Sequence, residues 1–358
     1  MLFKDELERI NKLIQIMAHL PYSRFFSSTY SAGLWLLVLF SLSACAAPEV
    51  GEFPIAKSST VTAIAKDTGQ FYVIKQDVLL KDYFAFMEKT LPVLDTMVPY
   101  SLDEYLLVRH NPWIIDTLEN TDYYRQKAIG NFVANAGLLR ILPLGDTLFL
   151  PTESDYEQAL QLRTQTIIDV NIPEFRLRIM ANDSVLYDFP VRVGQNRSKY
   201  LAMAGRKVDL RTHPGEGTIV RVNRKPTFIN PSNNHPYTST QRDDGLRTAL
   251  PLVPWIEPAI NGQRYGQLIH PTTNPVTLGK AYSNGCVGME EGSMWRVYYY
   301  APLGTKVRFR YDLEVPGPDG STIQLRDIYP GYAFRKPLAF AQLFSNEASA
   351  FPGICDCR

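Results

Sequence analysis

Four cysteines in 358 residues are too few for a disulfide-stapled scaffold. They stand at 45, 286, 355 and 357, and the last two are too close in sequence to bridge each other easily. Histidine is scarce as well, with five in the chain and none at the helical spacing of a zinc motif. Neither sign of charge dominates: 37 Lys and Arg face 36 Asp and Glu, for a net charge of +1. Removing residues 1–44 leaves 33 of each. That balance gives no electrostatic footprint for nucleic acid. There is no internal repeat, and the apolar run over residues 31–44 is short of the roughly 20 residues a bilayer span needs.

What is present is an ordinary globular composition, 45% hydrophobic, with 20 Tyr and 18 Phe. Aromatic enrichment suits a β-rich fold. The length allows one large domain or two modest ones. Near the start, Arg24 precedes the apolar run SAGLWLLVLFSLSA, and Leu42-Ser43-Ala44-Cys45 follows with small residues where cleavage would occur. This order resembles a bacterial lipoprotein signal. The resemblance implies that Cys45 becomes a lipidated N-terminus and holds the protein on a membrane of the cell envelope, facing the periplasm. Residues 1–20 are amphipathic and unneeded for export, so a later start codon and a cytoplasmic extension both stay open.

After a small, polar tether over 45–60, residues 61–160 read as a mixed α/β accessory region. Gln70 to Val73 suggests a strand, and Lys81 to Leu94 has helical spacing at Tyr83, Phe86, Met87 and Leu91. Tyr123 to Leu139 suggests one or two further helices. Leu142 to Pro151 resembles the end of a glycan-binding LysM repeat over ten residues, but reads more readily as a loop entering a strand. Glu153 to Leu162 reads as a connecting helix.

The pattern then changes to period two. Phe175, Leu177 and Ile179 alternate with arginines, Ala181-Asn182-Asp183 supplies turn chemistry, and Val185, Tyr187, Phe189, Val191 and Val193 resume the alternation. Val307, Phe309 and Tyr311 form another alternating strand. Residues 165–315 are therefore expected to form a mainly β domain. A Pro- and Gly-rich extension over 316–358 follows, with Gln324 to Tyr329 its only element-like stretch.

The chemistry concentrates in Tyr265-Gly-Gln-Leu-Ile-His270-Pro-Thr272 and Ser283-Asn284-Gly285-Cys286-Val-Gly288-Met289. A thiol is a weak nucleophile until it loses its proton, and imidazole is the usual base. Gly285 allows a sharp turn that projects the sulfur. Helical spacing from Met289 to Tyr300 predicts that Cys286 sits just before a helix N-terminus. There the dipole and free N–H groups would favour an anion or hold an oxyanion.

These segments resemble the L,D-transpeptidase catalytic domain (YkuD type), whose signature is a His on a strand, about a dozen residues, then Ser/Thr-x-Gly-Cys. Ile167 to Ile179, Pro214 to Ile219 and Pro226 to Pro231 resemble further segments of that domain in the same order. The resemblance covers about 165–315. It implies an L,D-transpeptidase-like β-sandwich with a short helix after the Cys, Cys286 as nucleophile and His270 as general base. Ser283, Asn284, Gly285 and Thr272 would support the oxyanion and loop, and Tyr265, Gly288 and Met289 would meet substrate. It also implies peptidoglycan stem peptides as partners, an amine or an envelope-protein lysine as acceptor, and no cofactor. Three positions depart from the family: Asn284 replaces a usual His, Pro271 a usual Gly, and Gly288 an Arg that commonly follows the Cys by two.

Other readings stay open. Water as acceptor would make an L,D-carboxypeptidase. A catalytically idle, peptidoglycan-binding scaffold is compatible with Asn284 and Gly288 in place of the family residues. A zinc peptidase would draw on His213, His235 and His270 with Asp243 or Asp244. Cys355 and Cys357 read as an inert tail, and His19 and His110 as incidental.

Overall fold

The computed structural model describes residues 69–317 and 319–331. The proposed signal and tether, Cys45, His19, Cys355 and Cys357 lie outside the described residues. No helix among the described residues is long and apolar enough to cross a membrane.

The centre is an eight-stranded sheet. Its strands are β1 (Thr166–Asn171), β2 (Arg176–Ala181), β3 (Ser184–Pro190), β4 (Gly215–Asn223), β5 (Trp255–Ile260), β6 (Ile269–Pro271), β7 (Val287–Met289) and β8 (Lys306–Arg310), in the spatial order β7-β6-β5-β4-β8-β1-β2-β3. The β8–β1 and β6–β7 pairs are parallel and the rest antiparallel. β1 is buried along its whole length, as a strand covered on both faces must be. Its buried Asp169 is satisfied by Arg308 and Arg310, which donate at 2.6 and 2.9 Å. The expected β2–β3 hairpin is present, and Asn182 takes the left-handed conformation at its turn (φ 53°). Leu177, Ile179 and Ala181 point inward on β2, but Val185 on β3 is exposed, because β3 is an edge strand.

Beyond β3 the chain crosses to the opposite edge. Arg192 N–H donates to Gly288 O at 2.8 Å, and Gly288 N–H returns to Arg192 O at 3.0 Å. This bridge nearly closes the sheet and satisfies backbone groups that an open edge would leave unpaired.

Residues 83–128 form four helices: α1 (Tyr83–Asp95), α2 (Glu104–His110), α3 (Pro112–Glu119) and α4 (Tyr123–Ala128). The sequence pattern found α1. It overextended α4, since the chain turns at Gly130 (φ 80°) and only a single 3-10 turn, Ala136–Leu138, follows. It passed over α2 and α3, whose signals are local: the Asp103 carboxylate accepts Leu106 N–H at 2.8 Å, and Pro112 opens α3. The LysM-like stretch contributes a strand, Thr147–Phe149, that pairs antiparallel with Phe71–Val73. The connecting helix α5 (Glu153–Gln165) begins with a Thr152–Asp155 capping box.

The last helix, α6 (Glu291–Tyr300), explains why the four helices are there. Eight of its ten residues are buried, so one sheet face cannot cover it. Trp295 and Tyr298 meet Phe84 with ring centroids 5.9 Å apart in each case, and Tyr83 OH lies 2.6 Å from Tyr299 OH. Buried Glu104 accepts from Tyr299 OH at 2.9 Å and pairs with Arg224 at 2.9 Å. Arg296 bridges to Asp116 and Glu119 on α3. A fully buried large apolar side chain contributes about 1.5–3 kcal/mol, so the helical cover and the sheet share one core.

Candidate active site

Residues Ile269, His270 and Pro271 on β6 lie opposite Val287, Gly288 and Met289 on β7. Side chains alternate between the faces of a sheet. Ile269, Val287 and Met289 are fully buried in the core. His270 and Gly288 therefore look the other way, and Cys286, two residues before Gly288, shares their face.

The turn that carries Cys286 is held at three points. Ser283 Oγ donates to Cys286 O at 2.5 Å and accepts Gly285 N–H at 3.2 Å. Gly285 adopts φ 109°, which a side chain would strain. Thr212 Oγ1 donates to Gly285 O at 3.0 Å and accepts Gly194 N–H at 2.8 Å. Beneath this lies Tyr329 of the C-terminal extension, fully buried. Its hydroxyl donates to Gly194 O at 2.6 Å and accepts Thr212 N–H at 3.2 Å.

Cys286 is partly exposed. Its sulfur accepts Leu268 N–H at 3.5 Å and points its proton toward Gly266 O at 3.8 Å. Burial pushes the thiol above its ordinary range, opposed by the Leu268 N–H and by the charge of Arg192. His270 packs against Trp255, with ring centroids 5.6 Å apart. Its Nδ1 lies 2.8 Å from Pro271 O. A carbonyl can only accept, so Nδ1 carries the proton of the neutral ring and Nε2 keeps its lone pair. Burial, helped by the Arg192 charge, lowers the His270 pKa to about 4. No hydrogen bond joins the sulfur to the ring in this structure. Cys286 thus rests as a neutral thiol and His270 as a neutral imidazole on one face of the sheet, where the sequence suggested a thiolate kept ionised by that ring.

The helix expectation needs correction. A strand, β7, separates Cys286 from α6, whose first-turn Gly292 N–H is taken by Asp122 at 2.9 Å. The helix dipole therefore points at Asp122 on the accessory helices rather than at the sulfur. The reason is that Val287 and Met289 are core residues and extend the chain before it can coil.

The other expected residues divide. Asn284 is exposed beside Cys286, and its side chain makes no hydrogen bond to the described residues. Thr272 is buried. Its Oγ1 accepts Asn274 N–H at 3.2 Å, while His270 itself is oriented by the Pro271 carbonyl. Tyr265 is exposed and stacks on His213 at 4.4 Å. Met289 is fully buried and offers no surface to a peptide, and Gly288 lies beneath the Arg192 side chain. Asp243 accepts from Asn274 Nδ2 and Val276 N–H, at 2.9 and 2.8 Å, while Asp244 accepts from Tyr123 OH at 2.7 Å. Among the described residues no three His, Cys, Asp or Glu side chains gather as a metal site requires, so His213, His235 and His270 are not brought together with Asp243 or Asp244.

Three supporting residues escaped the sequence reading: Arg192, Thr212 and Tyr329. Each reaches the site across a long stretch of chain, and nothing in their local pattern signals it.

Residues 165–309 match the family model of the YkuD L,D-transpeptidase catalytic domain. A curated Bacillus licheniformis protein, named as an L,D-transpeptidase of YkuD type, is 27% identical over 140 residues, 39% of this chain and 62% of that protein. The chain thus spans about three fifths of that relative's length. Among solved structures, an L,D-transpeptidase from Xylanimonas cellulosilytica matches at 12% identity over 57% of this chain and 92% of that one, with a TM-score of 0.30. The catalytic domain of an E. faecium L,D-transpeptidase matches at 16% identity over 41% of this chain and 97% of that one, with a TM-score of 0.27. In sequence, then, residues 165–309 are similar to the L,D-transpeptidase catalytic domain of the YkuD family.

Proposed function

We propose that this protein is a cysteine-dependent L,D-transpeptidase acting on peptidoglycan tetrapeptide stems. The observation that carries the reading is a partly exposed Cys286 on the same sheet face as His270, whose Nδ1 is fixed so that Nε2 is free to take a proton.

In the first step Nε2 accepts the Cys286 proton as sulfur attacks the carbonyl of the third, diamino residue at its L-centre. An S–C bond forms, and the carbonyl electrons move onto oxygen. The Cys286 N–H and the exposed Asn284 amide of the same turn would stabilise that oxyanion. Collapse breaks the C–N bond to the terminal D-alanine, which leaves with the proton from His270. A thioester remains. A side-chain amine of a second stem then attacks it, His270 takes the amine proton, and the thiolate departs and is reprotonated. The product is a 3–3 cross-link. Water in the second step gives an L,D-carboxypeptidase, and a lysine of an envelope protein gives an attached protein. The lipobox-like stretch ending at Cys45 supports an envelope location facing the periplasm.

The test is turnover of a disaccharide-tetrapeptide. Wild type should release D-alanine and Cys286→Ala should not. A carbapenem should add one adduct mass at Cys286. Equal background release by both proteins, with no adduct, would refute the reading. Because the thiol is held above its ordinary range, the acylation rate should climb with pH and still be rising at the ordinary thiol pKa.

A further inference from the structure

Arg192 is a largely covered cation without an acidic partner. Its backbone pairs with Gly288 in both directions, so the side chain starts directly over that glycine. A Cβ at position 288 would fall 2.6 Å from Arg192 Nε, 3.0 Å from Cγ and 3.2 Å from Cδ. The arginine stem therefore fills the volume that any other residue at 288 would need. Nη1 donates to Thr277 Oγ1 at 3.1 Å, and Nε is buried with no acceptor.

Buried or half-buried guanidinium groups elsewhere in the sheet region are paired: Arg308 and Arg310 with Asp169, Arg224 with Glu104, Arg242 with Glu291. No carboxylate among the described residues lies within ion-pair distance of Arg192. The groups whose charge bears on it are Cys286 and Tyr282 from the cysteine turn and Tyr237 and Asp243 from the preceding segment, and its own charge bears on His270 of β6. Asp243 is already engaged by Asn274 and Val276. Glu257, the acidic group that faces Cys286 from β5, is paired with Arg221 and Arg264. A buried charge without a partner is costly unless an anion arrives. Of the anions in the proposed reaction, the oxyanion needs bound substrate, and the Cys286 thiolate is the one the protein itself can form on this face.

We propose that Arg192 is the cationic positioning residue of this site: seated over Gly288, its guanidinium supplies a charge that eases ionisation of the Cys286 thiol. The place two residues after the cysteine is a glycine, and the guanidinium comes from the segment after β3, across the backbone bridge. The inference rests on Cys286 being the nucleophile.

The experiment measures iodoacetamide alkylation of Cys286 against pH in the full chain, read at the Cys286 peptide by mass spectrometry so that the other cysteines do not contribute. Arg192→Gln should raise the alkylation midpoint by about one pH unit, roughly tenfold in thiolate population below the midpoint. Arg192→Lys, which keeps the charge, should stay near wild type. An unmoved midpoint in a folded Arg192→Gln protein, or an equal upward shift in Arg192→Lys, overturns the proposal. If Arg192→Gln fails to fold, the swap Arg192→Gly with Gly288→Arg returns a guanidinium to the same space. The swap should keep the wild-type midpoint, and a folded swap whose midpoint rises by a unit also overturns it. Alkylation needs no peptidoglycan. A midpoint that moves as expected without tetrapeptide turnover removes the proposed function and leaves Arg192's role standing. Cys286-dependent turnover with an unmoved midpoint removes Arg192 alone.

Discussion

The two sides of the candidate site are braced by different parts of the molecule. The Cys286 turn is fixed by Ser283, Thr212 and Tyr329, all from the β domain or the extension that follows it. The loop after His270 leans on the accessory region: Tyr124 OH on α4 accepts Asp243 N–H at 2.9 Å and donates to Thr273 O at 3.2 Å, while Asp243 accepts from Val276 N–H at 2.8 Å. The comparison teaches that Cys286 is positioned by its own domain, whereas the loop after His270 is braced partly through helices that the sequence reading set apart as accessory. α6 joins the two, because it follows the cysteine strand and buries its outer face under α1, α2 and α3.

The largest expected effect comes from separating the two regions. Deleting residues 69–150 should strip the cover from Trp295, Tyr298 and Tyr299 and leave a chain without a cooperative thermal transition. A deletion protein that melts cooperatively would show that the sheet is self-sufficient. Next is Glu291→Ala at the start of α6, which leaves the buried Arg242 without its partner. Loss of one member of such a pair costs about 3–5 kcal/mol, and denaturant titration would measure it. Within the nucleophile side, Tyr329→Phe keeps the ring but removes a hydroxyl with two buried partners. The expected cost is about 1–3 kcal/mol, with slower carbapenem acylation of Cys286. The mildest change should be Tyr124→Phe on the base side, at roughly 1 kcal/mol or less. If Tyr124→Phe slows acylation more than Tyr329→Phe does, the assignment of the two braces is reversed.

Much of this was legible in the chain. Period-two alternation located β2 and β8, because a half-buried strand must alternate. The serine, glycine and cysteine of the turn were legible because a tight turn that projects a side chain needs residues of those kinds. The helix over 291–300 was visible too, but its relation to Cys286 was misjudged. Three buried residues, Val287 to Met289, look the same as the start of a buried helix in sequence and become a strand only when β6 is there to pair with them. Arg192 read as the polar half of an alternating strand, and Tyr329 as the end of the one element-like stretch in a Pro- and Gly-rich extension.

The sequence by itself determined a mainly β domain over its second half and the chemistry of one thiol and one imidazole. Those follow from local rules, namely side-chain periodicity, turn geometry and the reactivity of each group. Only the tertiary structure decided which charges face the sulfur, which carbonyl sets the histidine tautomer, and that the preceding helices complete the core. Those depend on segments distant in the chain meeting in space, where burial and Coulomb forces act across the fold and leave no trace in the local pattern.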